Sequence, residues 1–504
     1  MAMTEGKIGT SGVRLRVATL LLPPLGLFIL WRTGKSFGRK LFGSVGIAFY
    51  CVLYSALICW LLVKSGALEV EWRGGYVPAL TSHKTAPDFE SLENHRAKQK
   101  ALTAQEPGAA STNHAAYWTG FRGPNRDGVY NELPIRTHWP GKGLNPLWRQ
   151  PCGGGYASFA IASGRAFTIE QRRDQETIVA YELNAGRELW THSWKGLFSE
   201  SMGGDGPRAT PAWSEGMIFA LGALGELRCV EAETGKLVWS HDIVAEAGAA
   251  TPTYGFSASP LITGDKLVVL SGAGRGKSVL CYDKATGKLL WSALDDVTGY
   301  ASPALLTLSG QPQIVVCCET RTIGFNPEDG KALWSHPWRV LNNQLPISQP
   351  VQLATNRFLL SAGYFTGSEA VEIVRSNSNF TAQTVWKSKS LKNKFTSSVV
   401  SGGYIYGLDE DILTCLDANT GARKWKGGHY GYGQLVLATG HLIILTGDGE
   451  LVLVKATPDM HDEVARFPAL SGKTWNHPAL AEGKLLVRNG AEMACFSLGT
   501  EAVP

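Results

Sequence analysis

The segment CVEAETGKLVW (229–239) decides the fold, because the chain repeats its pattern four more times. In each copy an apolar strand leads into a polar turn that ends in Gly, and a Trp follows after three further residues. Gly permits the positive φ that a hairpin turn or bulge requires, and Trp fills space where sheets pack face to face. The other copies are YELNAGRELW (181–190), CYDKATGKLLW (281–291), GFNPEDGKALW (324–334) and CLDANTGARKW (415–425).

The spacing of these copies predicts a β-propeller. Weaker copies, without the turn Gly, end at Trp386 and Phe467, and an isolated copy of the last strand ends at Trp148. Successive marks are separated by 39 to 52 residues. A four-stranded blade needs about 40–50 residues, so the sequence predicts an all-β chain with eight blades.

Strand counting predicts how the ring closes. Eight pairs of inner strands can be recognised, but the last period ends in MACFSLG (493–499) without an outer strand of its own. The strand around Trp148 precedes the first inner pair, and beside MACFSLG it would complete the eighth blade. An open solenoid or two β-sandwiches, the alternative architectures, would leave these two segments apart.

The N-terminus predicts a membrane anchor. Residues 41–63 carry no charge and would reach about 34 Å as a helix, enough to cross a bilayer core. A shorter apolar stretch, 17–31, contains Pro23-Pro24; we expect a second span there, with a re-entrant turn or a signal sequence as alternatives. By the positive-inside rule, four cations before the long helix place the anchor in the inner membrane and everything after it on the periplasmic or extracytoplasmic side. They are Arg32, Lys35, Arg39 and Lys40.

The predicted organisation has four parts. They are an anchor (1–64), a polar linker (65–116), a lead-in segment (117–146) and the propeller (147–499). The linker composition indicates a mostly disordered tether, in which SLENHRAKQKALTA (91–104) can form a short surface helix. Within the lead-in, FRGPNRDG (121–128) is expected to plug one face of the ring.

The copies between 148 and 498 resemble the pyrroloquinoline-quinone (PQQ)-like repeat, whose signature combines an apolar strand, A-x-T-G-K and a Trp. AYWTGFRGPNRDGVY (116–130) is similar to the lead-in of large exported propellers of this kind. The resemblance implies membership of a propeller family that includes quinoprotein alcohol dehydrogenases and non-catalytic members such as the assembly lipoprotein BamB. Fold alone does not choose between these functions.

The marks of catalysis are weak. In the dehydrogenases the resemblance implies a bound quinone, a Ca²⁺ held by oxygen ligands, an Asp base and a vicinal disulfide. Cys317-Cys318 is the one similar feature, but the Asp and Asn-Arg-Gly context near the start of the propeller is absent. We interpret the pair as neighbouring strand residues, one buried and one exposed. Three further Cys precede the turn Gly by six residues and are expected to be buried; they are Cys229, Cys281 and Cys415.

The loops that enter the inner strands predict a binding site at one mouth of the channel. They combine Gly, which allows close backbone approach, with aromatic residues that give contact area. Such a mouth suits a peptide, a glycan or an anionic small molecule, although the same residues also make ordinary turns. The candidate ligand-binding residues are Arg208, Thr210, Tyr254, Phe256, Ser257, Tyr300, Lys394, Tyr432, Gln434, Asn476 and His477.

Together these features predict a membrane-tethered binding or scaffolding module of the cell envelope. Expected partners are the lipid bilayer, through the N-terminal helices, and envelope proteins, peptides or glycans. A net charge of +5 without a basic, aromatic-interleaved stretch argues against nucleic acid. No catalytic residue, metal site or cofactor is expected. A PQQ-dependent alcohol dehydrogenase is the alternative, and a sensor that needs a partner for its output is a third possibility.

Overall fold

The computed structural model describes residues 19, 22–71, 78–81, 86–103 and 116–499. The chain forms two compact units. One contains residues 1–71 and 79–84, and the other contains the propeller.

The N-terminal unit contains one helix that could cross a membrane. Helix α2 (Phe37–Lys64) has a mean hydropathy of 2.2 in its apolar window, and within the described ranges it alone is long and apolar enough. Helix α1 (Pro23–Trp31) has nine residues and reaches about 14 Å. The described part of the predicted first span is therefore too short to cross a bilayer, and the rest of that stretch lies outside the described residues. Two short antiparallel strands follow, β1 (Glu69–Glu71) and β2 (Ala79–Thr81).

The eight predicted blades are present as eight separate sheets, and each runs from an inner strand at the channel to an outer strand at the rim. Blade 1 consists of β5 (Ala160–Ala162), β6 (Arg165–Arg172), β7 (Gln175–Glu182) and β8 (Glu188–Lys195), and blade 2 of β9 (Ala212–Ser214), β10 (Met217–Leu221), β11 (Glu226–Glu231) and β12 (Leu237–Asp242). Blade 3 consists of β13 (Leu261–Thr263), β14 (Lys266–Leu270), β15 (Val279–Asp283) and β16 (Leu289–Ala293). Blade 4 consists of β17 (Ala304–Leu308), β18 (Gln311–Cys317), β19 (Arg321–Phe325) and β20 (Ala332–Pro337).

Blades 5–8 complete the circle and include two strands that precede blade 1 in the chain, β3 (Val129–Tyr130) and β4 (Pro146–Pro151). Blade 5 consists of β21 (Val351–Ala354), β22 (Arg357–Ala362), β23 (Gly367–Ser376) and β24 (Asn379–Ser388), and blade 6 of β25 (Val399–Ser401), β26 (Tyr404–Asp409), β27 (Ile412–Asp417) and β28 (Arg423–His429). Blade 7 consists of β3 with β29 (Gln434–Ala438), β30 (His441–Leu445), β31 (Glu450–Lys455) and β32 (Glu463–Pro468). Blade 8 consists of β33 (Ala479–Ala481), β34 (Lys484–Arg488) and β35 (Glu492–Ser497) with β4.

The ring closes as predicted. Strand β4 pairs antiparallel with β35 and places Trp148 opposite Cys495. The outer strand of the eighth blade thus comes from the N-terminal side of the ring, and no blade lacks its fourth strand. The open solenoid and the paired sandwiches are excluded.

The repeated Trp and Gly form the junctions between blades. The Nε1 of Trp190 in blade 1 donates to Ala232 O in the turn of blade 2 at 3.1 Å, and the same bond recurs from Trp148, Trp239, Trp291, Trp386 and Trp425. In that turn Gly235 has φ +72°, and a Cβ on it would lie 2.4 Å from a ring carbon of Trp190. The turn position therefore requires Gly twice, once for its backbone and once for the indole ring above it.

One junction uses a substitute from elsewhere in the chain. Phe467 takes the place of Trp in blade 7, and the eighth blade has no outer turn because its outer strand, β4, precedes blade 1 in the chain. Gly143, with φ +83°, lies under that ring instead, and a Cβ on it would be 2.3 Å from Phe467 Cγ. The N-terminal side of the ring thus supplies both the missing strand and the missing Gly.

The lead-in segment occupies part of the channel, in agreement with its predicted role as a plug. Strand β3 pairs in parallel with β29, the inner strand of blade 7. Arg122 is fully buried and donates to the carbonyls of Ser397 and Ser398, at 2.9 and 2.6 Å, in blade 6. Arg126 donates to Pro260 O at 2.8 Å, beside blade 3. The two arginines therefore tie blades on different sides of the channel to one segment.

Part of the predicted tether is a helix that packs on the rim of the propeller. Helix α3 (Phe89–Thr103) places Arg96 in a bidentate ion pair with Glu188 of blade 1, at 2.8–2.9 Å, and buries Leu92. Gln99 reaches Gln150 of blade 8 at 3.1 Å. The short surface helix predicted for 91–104 is therefore present, and its few apolar and bonding residues share one helical face.

The cysteines are structural thiols. All nine are free, and the seven outside helix α2 are buried. Cys229, Cys281 and Cys415 each lie opposite the junction Trp of their blade, which confirms their predicted equivalence. Cys317 and Cys318 are both buried, so the expectation of one exposed residue was wrong. Both faces of a blade are covered by neighbouring blades, and alternation along the strand therefore leads from one core to the next.

Candidate functional site

A belt of hydrogen bonds links neighbouring blades at four of the eight junctions around the channel, just inside the mouth. At the start of an inner strand, a backbone N–H donates to a hydroxyl at the equivalent position of the next blade. The bonds run from Ser158 to Thr210 (3.0 Å), Thr210 to Ser259 (2.9 Å), Ser259 to Ser302 (2.9 Å) and Gln349 to Ser397 (2.9 Å). Small hydroxyl residues recur here because they can satisfy a buried N–H of the adjacent blade.

Above this belt lies a concave, mainly apolar cavity with about 1110 Å³ of empty space, part of it open to solvent. The loops that enter blades 1 to 6 and 8 form most of its walls, and Gln434 of blade 7 and Phe121 of the lead-in also line it. Its aromatic lining consists of Phe121, Tyr156, Tyr254, Tyr300, Tyr364, Phe395 and Trp475. Such a cavity, apolar with a few polar groups, is typical of binding sites. We call it the mouth cavity.

Trp475 is the centre of the aromatic wall. Its ring stacks on Tyr156 at 5.4 Å and on Phe395 at 4.9 Å between centroids, and it meets Tyr432 edge-on at 5.8 Å. Lys473 Nζ lies 4.5 Å from the same ring. The Trp475 Nε1 is buried and has no hydrogen-bond partner in the described structure. These contacts hold the loops that enter blades 1, 6 and 7 around one half-buried indole, which belongs to the loop of blade 8.

Lys394 lies behind this wall in a cage of rings. Its Nζ donates to Tyr432 Oη at 2.7 Å and lies 4.8 Å from the Tyr364 ring. Glu410 is the nearby carboxylate, with its Oε2 at 3.9 Å. Burial lowers the pKa of Lys394 and raises that of Glu410. The lysine therefore braces the aromatic wall and does not line the cavity.

Arg208 lines the mouth cavity but is already satisfied by its own loop. It donates to Gly204 O at 2.7 Å and to Glu200 Oε1 at 3.2 Å, and it also bonds Gly206 O. Its guanidinium lies 4.5 Å from the Phe198 ring. Burial lowers its pKa. The guanidinium thus fixes the shape of the loop and leaves little of its charge for a ligand.

His477 forms part of the cavity floor. It is 3% exposed, its Nδ1 is 2.7 Å from Pro478 O, and its ring stacks on Trp118 and meets Phe121 edge-on. Burial, followed by the nearby Arg122 guanidinium, lowers its pKa to about 3. The imidazole is therefore neutral at physiological pH and acts as a packed, apolar-facing element.

The structure brings seven of the eleven predicted residues to the mouth cavity; these are Arg208, Thr210, Tyr254, Ser257, Tyr300, Gln434 and His477. The other four do not line it. Phe256 packs in the core between blades 2 and 3, and Asn476 is fully buried, donating to Gly155 O and Ala157 O. Lys394 and Tyr432 stand behind the aromatic wall.

Sequence reasoning missed several lining residues. Trp475 directly precedes two of the predicted residues, Asn476 and His477, and its aromatic character was the available signal. Tyr156 and Phe395 also belong to mouth loops. Leu345 and Ile347 enter from the loop after a short 3₁₀ turn (Leu341–Asn343), which carries no repeat signature. Another loop contains a small helix, α4 (Ile243–Ala247), outside the cavity.

The residues present do not fit a quinone with its calcium ion. Among the described residues that line the mouth cavity, Glu200 is the one carboxylate, and its oxygens accept bonds from Met202 N, Gly203 N and Arg208. No group of three His, Cys, Asp or Glu in the described parts of the chain could hold a metal ion. Cys317 and Cys318 are buried within the blades, and burial raises the pKa of both thiols. An oxygen-rich cation site and a disulfide platform are therefore not built here.

Comparison with known proteins agrees with the repeat pattern. A family model described as outer membrane protein assembly factor BamB matches residues 174–427. The BamB of Bordetella pertussis is 21% identical over 379 residues, which cover 66% of this chain and 92% of that protein. The BamB structure from Moraxella catarrhalis has a TM-score of 0.50 at 14% identity, covering 70% of this chain and 99% of that one.

A structure from the catalytic side of the fold is also similar. The quinohemoprotein alcohol dehydrogenase of Comamonas testosteroni has a TM-score of 0.55 at 12% identity, over 81% of this chain and 85% of that one. At such identities the solved structures show a shared fold only. The family model, in contrast, matches half of the chain. The chain therefore belongs to the BamB family of PQQ-like repeat propellers.

Proposed function

We propose that this protein is a non-catalytic binding module of the cell envelope, and that its mouth cavity holds a segment of a partner protein. The observation that carries the proposal is the aromatic wall built around Trp475. It offers a preformed apolar surface, and the chemistry of a quinone site is missing from the same place.

A protein segment suits the cavity better than a glycan does. Met202, Leu345 and Ile347 add aliphatic surface to the aromatic lining. Glycan binding relies on free carboxylates and amides, but the oxygens of Glu200 are already bonded within its own loop. Aromatic and aliphatic side chains of a peptide would instead bury themselves against these rings. The relative from Bordetella pertussis is an outer membrane protein assembly factor, which is consistent with a protein partner.

The proposal places the propeller on the extracytoplasmic side of the inner membrane. Helix α2 supplies the one candidate span in the described ranges. The four cations before and within its first turns favour a cytoplasmic N-terminal side. The bilayer would then be the second partner of the chain, and tethering would keep the mouth cavity close to envelope proteins.

The test is site-specific photocrosslinking of the full chain in the membranes of its native host. A benzophenone amino acid in place of Tyr254 should crosslink a protein partner of defined size. The additional change Trp475→Ala should reduce this adduct several-fold, because it removes the centre of the aromatic wall.

Met460 provides the matched control, since it is 61% exposed and lies in a turn on the outer side of blade 7. The same photoprobe at Met460 should not give this adduct. Equal adducts from both positions, or an adduct that Trp475→Ala leaves unchanged, would contradict the proposal. A stoichiometric spectral shift with PQQ and Ca²⁺, together with alcohol oxidation, would replace it by the dehydrogenase.

A further inference from the structure

A second cavity lies deeper in the channel, on the other side of the lead-in turn. It has about 1390 Å³ of empty space, part of it open to solvent. Phe121 lines the mouth cavity, whereas Pro124 to Asp127 line this one. Its remaining walls come from the inner strands of blades 3 to 6, with Ile262, Leu305 and Val400 among the lining residues. We call it the channel cavity.

The inner strands of blades 3 to 6 are edge strands of their sheets. The lead-in segment pairs with the inner strand of another blade, blade 7. Strand β3 adds to β29 of blade 7 as a fifth strand, which shows that an inner edge in this channel accepts an extended segment. Strands β13, β17, β21 and β25 end their sheets without such a cover. The channel cavity runs along these four edges.

The edge of blade 4 already binds an amide. The side chain of Gln352 accepts from Thr307 N at 3.2 Å and donates to Thr307 O at 2.9 Å. These are the two bonds that a peptide group of an added strand would make. Because alternate residues of an edge strand point their N–H and C=O the same way, those of Leu305 also face the cavity. This wall therefore offers backbone pairing to an extended chain.

The inner end of the cavity is cationic. Arg126 lines it. Among the residues that the structure describes, its buried Nε has no hydrogen-bond partner, and its terminal nitrogens bond only the carbonyls of Pro260 and Ser259. Arg122 lies next to it and likewise bonds only carbonyls. Asp127 is the local carboxylate; its Oδ1 accepts from Val129 N at 3.0 Å, and burial raises its pKa. Two guanidiniums thus face one carboxylate.

At the same end, the side-chain oxygen of a buried glutamine, Gln349, also lacks a hydrogen-bond partner in the described structure. Gln349 is 3% exposed and lines the cavity, and its Oε1 makes no hydrogen bond within the described structure. An orphan side-chain amide can present its oxygen or its NH₂ to a ligand. A buried polar group without a partner is costly, and a ligand that bonds it removes the cost.

We propose that the channel cavity binds the C-terminal end of an extended peptide segment, which runs along the edge of blade 4 and places its terminal carboxylate at Arg126 and Gln349. The direction follows from charge, since an N-terminal ammonium at this end would meet two arginines. It also makes the peptide antiparallel to β17, the more favourable pairing. This site is distinct from the mouth cavity, and it stands whether or not the mouth cavity holds a partner.

The test uses the full chain in detergent micelles and a library of random octapeptides displayed with free C-termini. Wild-type protein should enrich a peptide family from this library. The synthetic free acid of an enriched peptide should bind at least ten-fold more tightly than its C-terminal amide in fluorescence anisotropy. Arg126→Gln should abolish that preference, and Gln349→Leu should reduce the affinity of the free acid several-fold.

Trp475→Ala is the matched control, because it changes the mouth cavity alone and should leave the free-acid preference unaltered. Thermal unfolding of each variant shows whether the fold is kept, and Arg126→Lys, which retains the charge, should keep part of the preference. No enriched family, equal binding of acid and amide, or a preference that Arg126→Gln preserves would overturn the proposal. Loss of the preference in Trp475→Ala would assign the peptide to the mouth cavity instead.

Discussion

The outer rim and the mouth of this propeller are built from the same eight sheets, but they follow different rules. At the rim one device recurs, an indole whose Nε1 bonds the turn of the next blade and whose ring covers a Gly. At the mouth each blade contributes a loop of its own length and composition. Repetition is therefore the sign of stability in this molecule, and departure from repetition marks the surface for which we propose binding.

The largest expected difference between the two regions comes from removing one Trp in each. Trp148→Ala should lower the free energy of unfolding by about 3–5 kcal/mol, because it empties a buried site at the ring closure. Trp475→Ala should cost only about 1 kcal/mol, since its ring is half-buried and mainly stacks on neighbours. Urea unfolding of the two variants measures this contrast. Equal losses would mean that the mouth is as important for stability as the rim.

The second contrast separates two glycines within blade 2. Gly235→Ala should destabilise by about 2–4 kcal/mol, because the new Cβ meets both a positive φ and the Trp190 ring. Gly216 has a similar φ of +80° but open space around it, so Gly216→Ala should cost only about 1–2 kcal/mol. Thermal and urea unfolding of both variants gives the contribution of the indole contact. Equal losses of stability in the two variants would show that the contact with the indole ring contributes nothing.

The third prediction concerns pH and the floor of the mouth cavity. Folded His477 stays neutral down to about pH 3, whereas the unfolded chain takes up this proton near pH 6.5. Between these values the unfolded state binds the extra proton, so stability is full above pH 6.5 and falls with pH by up to about 1.4 kcal/mol per unit. Between pH 6 and pH 4, the free energy of unfolding of His477→Gln should therefore fall by about 2 kcal/mol less than that of the wild type, as measured by urea unfolding.

A His477→Gln variant with an unchanged pH dependence would show that its ring is not held neutral by burial.

The smallest expected effect concerns the rim helix α3. Arg96→Ala removes a partly buried bidentate pair and should weaken the docking of the helix by about 1 kcal/mol. Hydrogen exchange should then quicken in Phe89–Thr103 while the blades remain protected. Arg173→Ala breaks an exposed pair with Glu93 and should leave the exchange unchanged. Equal exchange in both variants would contradict a specific role for Arg96.

The rim could be predicted from the sequence because its physics repeats. Five copies of one turn, read together, specified the blade, its spacing and the closing partner of Trp148. The short helix in the linker was predicted, but its docking on the rim was not, because its polar composition hides a single docking face around Leu92. The pair Cys317-Cys318 misled the burial prediction, since in a propeller both faces of an inner sheet meet another sheet.

The mouth was predicted only in outline. The loops were correctly chosen as a cluster, but which side chain lines the cavity depends on packing between loops that are far apart in sequence. Phe256 and Asn476 turned into the interior, while Tyr156, Phe395 and Trp475 came together from three blades. A single sequence contains no signal for such contacts, since neither periodicity nor spacing relates one loop to another.

The pairing of β4 with β35 has a consequence for how the molecule comes into being. The two strands are about 350 residues apart, and the ring stays open until the later one has been made. Until then, blades 1 and 7 each expose an unsealed flank, and the chain resembles a stack of sheets that can add or lose members. When β35 pairs with β4, every blade gains two neighbours and the ring unfolds as one cooperative unit. The last strand to be made therefore stabilises the seven blades that formed before it.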